Sequence, residues 1–559
     1  MSNIKYLMSN VQLWLLLAIV VFAAVLRIWG IGQFPAGLNA DEAAIGYNAY
    51  SLIQTGKDEY GNWFPLSFTS FGDYKPGLYF YIVLPFVATF GLNEFAVRLP
   101  SALLGIGTII LIYFLAKQMF HNKWIGISSA FLLAITPWHI AFSRGSWETN
   151  AATFFITLGI YLFIKKVAEP KYLFFSLISF LVSMYIYQSP RLVVPVLVLG
   201  LIGLYWRELF KSAKTNLQPL IIVVVTLGIL TIPLALQFVG GSGSARFSGL
   251  SFLSDIGPEN RANELRGEHS NPSSFAAKVF HNKITAYAPQ FFSHYVDHFR
   301  GDFLFINGDP IIRNKVPETG QFYLITVPLL MIGLVGLLKF SAKTKWVVLV
   351  WLLVSPLASS MTYQTPNAVR ALTMVMPFVL IMSVGLVKLV EWFRNNKVKS
   401  IVVAIILIGF SYETVHFVES YFIHYPKRYP LSWEYGFREM VGKMQQYEGS
   451  YQKVVITDRY DQPYILTLFY KAALAQEQGK QFNPADYQSK LVLSERDKFN
   501  FGTVRSFDQY EFKEVKPEEV MEAKNTLFIV TPKEVLPNSD IIDRVKFPNG
   551  EDAFVFVKK

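Results

Sequence analysis

Long apolar runs separated by short polar stretches fill the chain up to about residue 420. A membrane-spanning helix needs about 20 mostly apolar residues, and eleven runs approach that length. They lie near 12–31, 99–117, 124–142, 151–166, 171–187, 191–206, 218–239, 321–339, 346–362, 370–391 and 400–418. The pattern therefore predicts a polytopic α-helical membrane protein with about eleven transmembrane helices.

One further apolar stretch, 77–92, is short and contains Pro85. If it does not cross, and the N-terminus with Lys5 is cytoplasmic, the cytoplasmic loops hold fifteen Lys and Arg residues against only three acids, Glu169, Glu208 and Glu391. A crossing at 77–92 would move every later loop to the other side and break the positive-inside rule. We therefore predict that 77–92 is an interfacial helix on the outer face.

The chain changes character after residue 423. Short β-like stretches at 453–457, 526–531 and 553–557 are separated by helical ones such as 464–477. This alternation predicts a soluble α/β domain. We expect a membrane domain over 1–423, with long outer loops at 32–98 and 240–320, and an extracytoplasmic domain over 424–559.

Composition agrees with a membrane protein and excludes several kinds of chemistry. The chain is 52% hydrophobic and 16% charged, whereas soluble proteins carry about 25% charged residues. Without cysteine there is no disulfide, thiolate nucleophile or Cys-ligated zinc. The net charge of +11 is explained mainly by the basic cytoplasmic loops, so we expect no nucleic-acid partner.

The first outer loop opens with two adjacent acids, Asp41 and Glu42. Ile45 and Leu52 belong to an apolar face at helical spacing, and Gly56 follows, which predicts a helix along the surface with Asp41 at its start. The structural interpretation is that Asp41 caps the helix and Glu42 interacts with the helix dipole. The alternative is a catalytic role, since acids are scarce in this chain.

Five cations are expected near the outer membrane boundary, where basic residues are unusual: Lys75, Arg98, Arg144, Arg191 and Arg370. Each has a structural interpretation. Lys75 can reach lipid headgroups, the arginines can anchor helix ends, and Arg144 can pair with Glu148 four residues later. Together the five suit an anionic lipid headgroup such as a phosphate.

Four motifs in order resemble membrane glycosyltransferases of the GT-C fold. They are Asn39-Ala-Asp-Glu-Ala-Ala-Ile-Gly-Tyr47, Asp73-Tyr-Lys-Pro76, Val97-Arg-Leu-Pro-Ser-Ala102, and Ser143-Arg144 with an acid four residues further on. The chain is most similar to the dolichyl-phosphate-mannose–protein mannosyltransferases and the bacterial aminoarabinose transferases (glycosyltransferase 39-like). The resemblance is good over roughly residues 10–200, weaker to 420 and slight in the tail.

The resemblance implies an enzyme that takes a sugar from a polyprenyl-phosphate donor on the outer face. Asp41 would be the general base, with Glu42 beside it, and would leave the product inverted. Lys75, Arg98, Arg144 and Arg370 would bind the donor phosphate. Where the family usually has an aspartate in the second outer loop, this chain has Glu148, and where the family often has a second proline after Lys75-Pro76, it has Gly77.

We expect no cofactor. A divalent metal held by Asp41, Glu42 and Glu148, as in oligosaccharyl-transferring relatives, is the alternative, but the favoured family works without one. The partners would be the lipid-linked donor, membrane lipids, and an acceptor protein, lipid or glycan. Two other functions stay open: a flippase or transporter for lipid-linked sugars, and a protein that binds them without catalysis.

Overall fold

The computed structural model describes residues 10–71, 73–239, 249–495 and 502–559. Lys5, which we expected in the cytoplasm, and residues 240–248 of the expected outer loop lie outside the described residues. The first half of the membrane domain is helical apart from a hairpin of β1 (Ser67–Ser70) and β2 (Asp73–Pro76). Its helices are α1 (Asn10–Ile28), α2 (Ala40–Thr55), α3 (Leu78–Phe90), α4 (Glu94–Phe120), α5 (Lys123–Ile135), α6 (Pro137–Arg144), α7 (Glu148–Lys166), α8 (Pro170–Ile186), α9 (Pro190–Thr215) and α10 (Leu217–Val239).

The second half adds three helices of the segment expected on the outer side and then the remaining helices of the membrane domain. They are α11 (Gly257–Gly267), α12 (Phe275–Phe280), α13 (Lys283–Asp297), α14 (Thr326–Leu337), α15 (Ala342–Val354), α16 (Leu357–Ser360), α17 (Val375–Trp392), α18 (Asn396–Glu419) and α19 (Tyr425–Arg428).

Every predicted span coincides with a helix, although the helices differ in length. Among the described residues, seven helices are long and apolar enough to cross a membrane, and α5 with α6, bent by 58°, makes an eighth candidate. The other three predicted spans coincide with α7, which begins with an acid and ends with two lysines, and with the shorter helices α8 and α14. The protein is thus an integral membrane protein, and its sidedness stays a prediction.

Helix α3 has the dimensions expected of a helix that does not cross. Its 13 residues span about 20 Å, short of the roughly 30 Å apolar core of a bilayer. Pro85 lies inside it, and Tyr79, Phe80 and Val83 are buried against the protein. It packs against α2 and α4 and so supports the helix whose first turn contains Asp41 and Glu42.

Helix α2 forms where the sequence predicts and ends at Gly56, whose φ of 71° is left-handed. Two expectations for it were wrong. The N-cap is Asn39, whose side chain accepts from the Glu42 backbone N–H, so Asp41 is not the cap. The helix is also buried on nearly all sides instead of lying on the surface, because a helix of the C-terminal domain packs on it.

The C-terminal domain is α/β, as predicted. Its helices are α20 (Phe437–Tyr447), α21 (Pro463–Glu477), α22 (Ala485–Gln488) and α23 (Pro517–Glu522). Its strands are β3 (Lys453–Ile456), β4 (Val492–Leu493), β5 (Val504–Phe507), β6 (Tyr510–Phe512), β7 (Thr526–Val530), β8 (Asp540–Lys546) and β9 (Asp552–Lys558). The seven strands form one sheet in the order β4-β5-β6-β3-β7-β9-β8, with β3 parallel to both neighbours and antiparallel pairs outside them.

One hydrophobic core crosses the boundary between the two predicted domains. It combines residues of α2, α3 and the start of α4 with those of α20, α21 and the sheet. Phe469 of α21 and Tyr47 of α2 are both buried in it. The loop expected on the outer side and the C-terminal domain therefore form a single packed layer.

Candidate active site

A polar cavity of about 390 Å³ lies where this layer meets the membrane domain. Six separate parts of the chain supply most of its lining: the start of α2, the β1–β2 hairpin, the α6–α7 junction, the loop at 311–314, the loop at 364–370, and the C-terminal domain. Its charged lining residues are Asp41, Asp73, Lys75, Glu148, Arg313, Arg370 and Asp461. A larger groove of about 640 Å³ has four charged lining residues, Glu94, Lys427, Arg438 and Glu439, and contains none of the residues that the sequence motifs singled out.

Asp41 and Lys75 meet in this cavity. The capping box of Asn39 and Glu42 sets the first turn of α2 and so the position of Asp41. Lys75 comes from β2, and its Nζ donates to Asp41 Oδ1. The Lys75 side chain is 5% exposed and that of Asp41 is 35% exposed, so the carboxylate is the more accessible of the two partners. Lys75 also lies 4.9 Å from the Phe71 ring centroid, a cation–π distance.

Arg370, which the resemblance implies as a phosphate-binding residue, lines the cavity. Its Nη1 donates to Thr362 Oγ1 at 3.0 Å and to the Gln364 carbonyl at 3.3 Å. Its backbone N–H donates to Asn367 Oδ1. These contacts hold the backbone and one guanidinium nitrogen of Arg370 in place on the loop before α17.

Arg313 is a cavity cation that sequence analysis missed. Its Nη1 lies 3.6 Å from Asp461 Oδ2, and Nε has no hydrogen-bond partner among the described residues. Burial disfavours its charge, but the nearby carboxylates of Asp41 and Asp461 outweigh burial and raise the pKa of Arg313. Arg313 belongs to a segment whose acids and bases balance, so composition gave no signal for it.

Asp309 fixes the two loops that carry these arginines. Its carboxylate accepts from the backbone N–H of Ala368 and, at 2.7 Å, from that of Ile311. One buried side chain thus joins the loop before Arg313 to the loop before Arg370. Burial raises the pKa of Asp309, while the hydrogen bond from Ala368 is the strongest of the effects that oppose it.

The C-terminal domain contributes two acids to this region, neither expected from the sequence. Asp461 lines the cavity itself, and Glu434 is buried near Arg313 and Asp461. Burial raises the pKa of both carboxyls, that of Glu434 to about 8. Both lie more than 360 residues from Asp41 in the chain, so only the fold brings them together.

Glu42 does not line the cavity. Its carboxylate accepts two hydrogen bonds from Arg98, of 2.9 and 2.8 Å, and a third from the Ser146 backbone N–H. Glu42 is 1% exposed and Arg98 is fully buried. The remaining Arg98 donors go to the carbonyls of Ile31, Pro35 and Gly37. This geometry fits a structural pair, and we revise both roles implied by the resemblance, the catalytic role of Glu42 and phosphate binding by Arg98.

Arg144 is likewise buried away from the cavity. It donates to the carbonyls of Leu26, Trp29 and Phe34, and its guanidinium lies over the Phe422 ring. It therefore ties the end of α1 to α6, which argues against the expected role in phosphate binding. Arg191, the fifth expected cation, donates to Met184 O and Gln237 Oε1 and is not part of the cavity lining.

Glu148, the expected acid of the second outer loop, does line the cavity, and so does the neighbouring Trp147. Glu148 is the first residue of α7 and is mostly buried. In the described ranges, no group of three or more His, Asp or Glu side chains could hold a metal ion. The carboxylates of Asp41 and Glu42 are directed to different partners, Lys75 and Arg98.

The sequence is similar to those of proteins described as mannosyltransferases. Residues 74–231 match the family model described as dolichyl-phosphate-mannose-protein mannosyltransferase. A putative mannosyltransferase of Bacillus subtilis, YycA, is 28% identical over 240 residues, which cover 41% of this chain and 33% of the relative. The chain spans between 21% and 33% of the lengths of the curated relatives it matches.

The fold is that of a solved GT-C protein. The crystal structure of ArnT from Cupriavidus metallidurans in the apo state matches with a TM-score of 0.55 over 98% of both chains, at 12% identity. The same protein bound to undecaprenyl phosphate matches with a TM-score of 0.53 over 97% of both chains, at 11% identity. At this identity the likeness establishes the fold.

Proposed function

We propose that the protein is a membrane glycosyltransferase that moves a sugar from a polyprenyl-phosphate donor to an acceptor hydroxyl on the outer face of the membrane. The observation that carries the proposal is the pairing of Asp41 with Lys75 in a polar cavity that also holds Arg313 and Arg370. A base beside a cluster of cations is what transfer from a phosphate leaving group requires.

In this proposal Lys75, Arg313 and Arg370 bind the donor phosphate. All three line the cavity, whereas Arg98 and Arg144 are buried with their donors directed to carbonyls and to Glu42. Guanidinium groups suit phosphate because they can donate two parallel hydrogen bonds. The cations neutralise the charge that develops on the phosphate as it leaves, which lowers the barrier.

Asp41 acts as the general base. As the acceptor oxygen attacks the anomeric carbon, the bond from that carbon to the phosphate oxygen breaks, and the acceptor proton moves to Asp41. The phosphate keeps the bonding electron pair and remains on the polyprenyl chain. Attack opposite the leaving group inverts the anomeric centre. The Asp41–Lys75 contact implies that Lys75 turns from the carboxylate to the phosphate when the donor binds.

The acceptor would enter beside the C-terminal domain, because Asp461 and Gln462 complete the cavity there. Its class, whether protein, lipid or glycan, is left to experiment. The proposal needs no metal, since the cations already present can neutralise the phosphate. It places the N-terminus in the cytoplasm and the cavity on the opposite side, in agreement with the basic cytoplasmic loops.

Two comparisons support this proposal. The matched family is described by transfer of mannose from dolichyl phosphate to protein, and the solved structure with the same fold binds undecaprenyl phosphate. Both descriptions name a polyprenyl phosphate.

The test uses purified protein in lipid nanodiscs with a set of radiolabelled polyprenyl-phosphate monosaccharides, with and without EDTA. We expect sugar transfer or release that survives EDTA and falls by about 10²- to 10⁴-fold in Asp41→Asn. Donor binding should persist in that variant. Binding without turnover, unaffected by Asp41→Asn, would instead support a flippase or a non-catalytic binder.

A further inference from the structure

The outer segment that contains α12 and α13 exposes an unusual set of large apolar side chains. Their exposed fractions lie between 44% and 85%. We call this set the outer apolar face, and it consists of Phe275, Val279, Phe280, Ile284, Phe292 and Val296. Exposed apolar side chains in such numbers usually mark a surface that contacts another protein or a membrane.

Helix α13 shows that this exposure follows a pattern. Pro289, Phe292 and Val296 are all exposed and recur at spacings of three and four residues, which places them on one side of the helix. On the other side Tyr287 is buried, and its hydroxyl donates to the Asp255 carbonyl. The apolar side thus faces away from the protein, the reverse of an amphipathic helix in a soluble domain.

The charges of the segment fit a lipid surface. Between Glu268 and Asp297 the charged residues are Lys278 and Lys283, with no acid. Both lysines are exposed, and Lys283 also forms a salt bridge of 3.0 Å with Glu259 of α11. Apolar side chains flanked by lysine are typical of helices that lie in the headgroup region of a bilayer and attract anionic lipids.

Helix α13 is too short to span a membrane, and it contacts the end of a membrane helix. Its 15 residues reach about 22 Å, too short to cross. The Tyr295 hydroxyl donates to the carbonyl of Leu353, an exposed apolar residue of α15. The outer apolar face is therefore attached to the end of a membrane helix.

The same segment supports one wall of the cavity. Ser251 and Thr362 form an antiparallel bridge, and the Thr365 hydroxyl donates to the His294 carbonyl at 3.2 Å. Gln364, between these contacts, lines the cavity and accepts from Arg370. The depth of α13 in a bilayer would thus set the depth of Arg370.

We propose that the outer apolar face lies in the lipid leaflet on the cavity side of the membrane, with Lys278 and Lys283 among the headgroups. In that position it holds residues 361–370, which form one wall of the cavity, so that Arg370 lies at the level of the lipid phosphates. The insertion of the outer apolar face into lipid does not depend on the proposed function. The placement of Arg370 for a lipid-linked donor rests on the proposed function.

Because the chain contains no cysteine, single cysteines can be introduced for spin labels. Labels at Phe280→Cys and Phe292→Cys are compared with Glu264→Cys, an exposed position of α11, in nanodiscs of phosphatidylethanolamine and phosphatidylglycerol. We expect the first two to be accessible to oxygen and shielded from a water-soluble nickel chelate, and Glu264→Cys to behave oppositely. Equal accessibility to the chelate at all three, or shielding that grows with protein concentration as in a dimer, would overturn the proposal.

A second experiment measures the transfer rate of a double variant that carries both Phe280→Ser and Phe292→Ser. The control is Met521→Ser, which replaces an exposed apolar residue of the C-terminal domain. We expect the double variant to lose at least about 10-fold in rate with a long-chain donor in nanodiscs and to match wild type with a short, water-soluble donor. An equal loss with both donors would contradict the proposal. If wild type uses neither donor, the proposed function fails while the spin-label result still decides insertion.

Discussion

Arg98 donates hydrogen bonds of 2.9 and 2.8 Å to the two carboxylate oxygens of Glu42, and this buried pair separates Glu42 from its neighbour Asp41. Successive side chains of a helix point about 100° apart, so one acid is held inside while the other faces the cavity. Two adjacent acids in the sequence therefore have different roles, one structural and one proposed to be catalytic.

The buried pair should be essential for stability. Removing one partner leaves an uncompensated buried charge, which costs about 3–5 kcal/mol. We expect Arg98→Met to lower the free energy of unfolding by that amount, measured by denaturation in detergent. The matched control is Glu318→Gln, because Glu318 forms a salt bridge with Arg428 in which both side chains are exposed. Exposed pairs contribute about 0–1 kcal/mol, so this substitution should have little effect on the free energy of unfolding. Equal effects of the two substitutions would contradict the structural role.

Arg313 and Arg370 should govern donor affinity. A hydrogen bond to a charged group contributes about 1.5–3 kcal/mol, so Arg313→Gln or Arg370→Gln should raise the donor KM by roughly 10- to 150-fold. Arg191→Gln is the control, since Arg191 is close to the outer ends of α8 and α10 but does not line the cavity. The same KM shift in all three variants would indicate a general charge effect instead of direct binding.

Gly46 should be required for the contact between α2 and the C-terminal domain. A Cβ at this position would lie 2.6 Å from both Phe469 Cε2 and Val97 Cγ2. Gly46→Ala should therefore destabilise the protein by about 1–3 kcal/mol through overpacking. Gly203→Ala, at a helical position with nothing within 4 Å of the added Cβ, should be neutral or slightly stabilising. The unfolding temperatures of both variants are measured in detergent. An unfolding temperature of Gly46→Ala equal to that of wild type would contradict the prediction.

Stability should fall as pH rises through the weakly acidic range. Burial, reinforced by the neighbouring Asp58, raises the pKa of Glu59 to about 8, compared with about 4.3 in an unfolded chain. Between these values the folded state keeps a proton that the unfolded state has lost, so stability decreases with rising pH, by at most about 1.4 kcal/mol per pH unit. Glu434, whose burial raises its pKa to about 8, contributes with the same sign.

The test is to measure unfolding temperature between pH 5 and 8 for wild type and Glu59→Gln. Because glutamine does not titrate, the variant should lose less stability than wild type across this range. Glu264→Gln, at an exposed position, controls for the loss of one formal charge. Parallel profiles for wild type and Glu59→Gln would mean that Glu59 does not titrate differently in the folded and unfolded states.

The sequence correctly predicted much of the fold because its signals are local. Eleven apolar runs became eleven helices or helix pairs, and the strands near 453, 526 and 553 formed from short β-like stretches. The motifs also identified Asp41 and Lys75 as candidate site residues 34 positions apart, although their direct contact was not predicted. These predictions depend on periodicity and motif order, which do not require knowledge of long-range packing.

Sequence motifs alone did not distinguish the cations of the cavity from the buried ones. Lys75, Arg98, Arg144 and Arg370 all lie at helix or strand ends near the expected membrane boundary, yet Lys75 and Arg370 line the cavity while Arg98 and Arg144 bind carbonyls inside the protein. The difference comes from the direction of each side chain in the packed bundle. A sequence shows where a charge lies along its helix, but not which neighbour that helix meets.

By itself, then, the sequence determined the membrane class, the positions of the spans, the α/β tail and the motif acids and lysine, because hydropathy and helical periodicity act over a few turns. Only the tertiary structure decided that Asp461 and Arg313 join Asp41, that α2 is buried beneath α21, and that α13 turns its apolar side outward. These relationships join residues tens to hundreds of positions apart. They arise from burying shared apolar surface and satisfying buried charges, which depends on the whole packed chain.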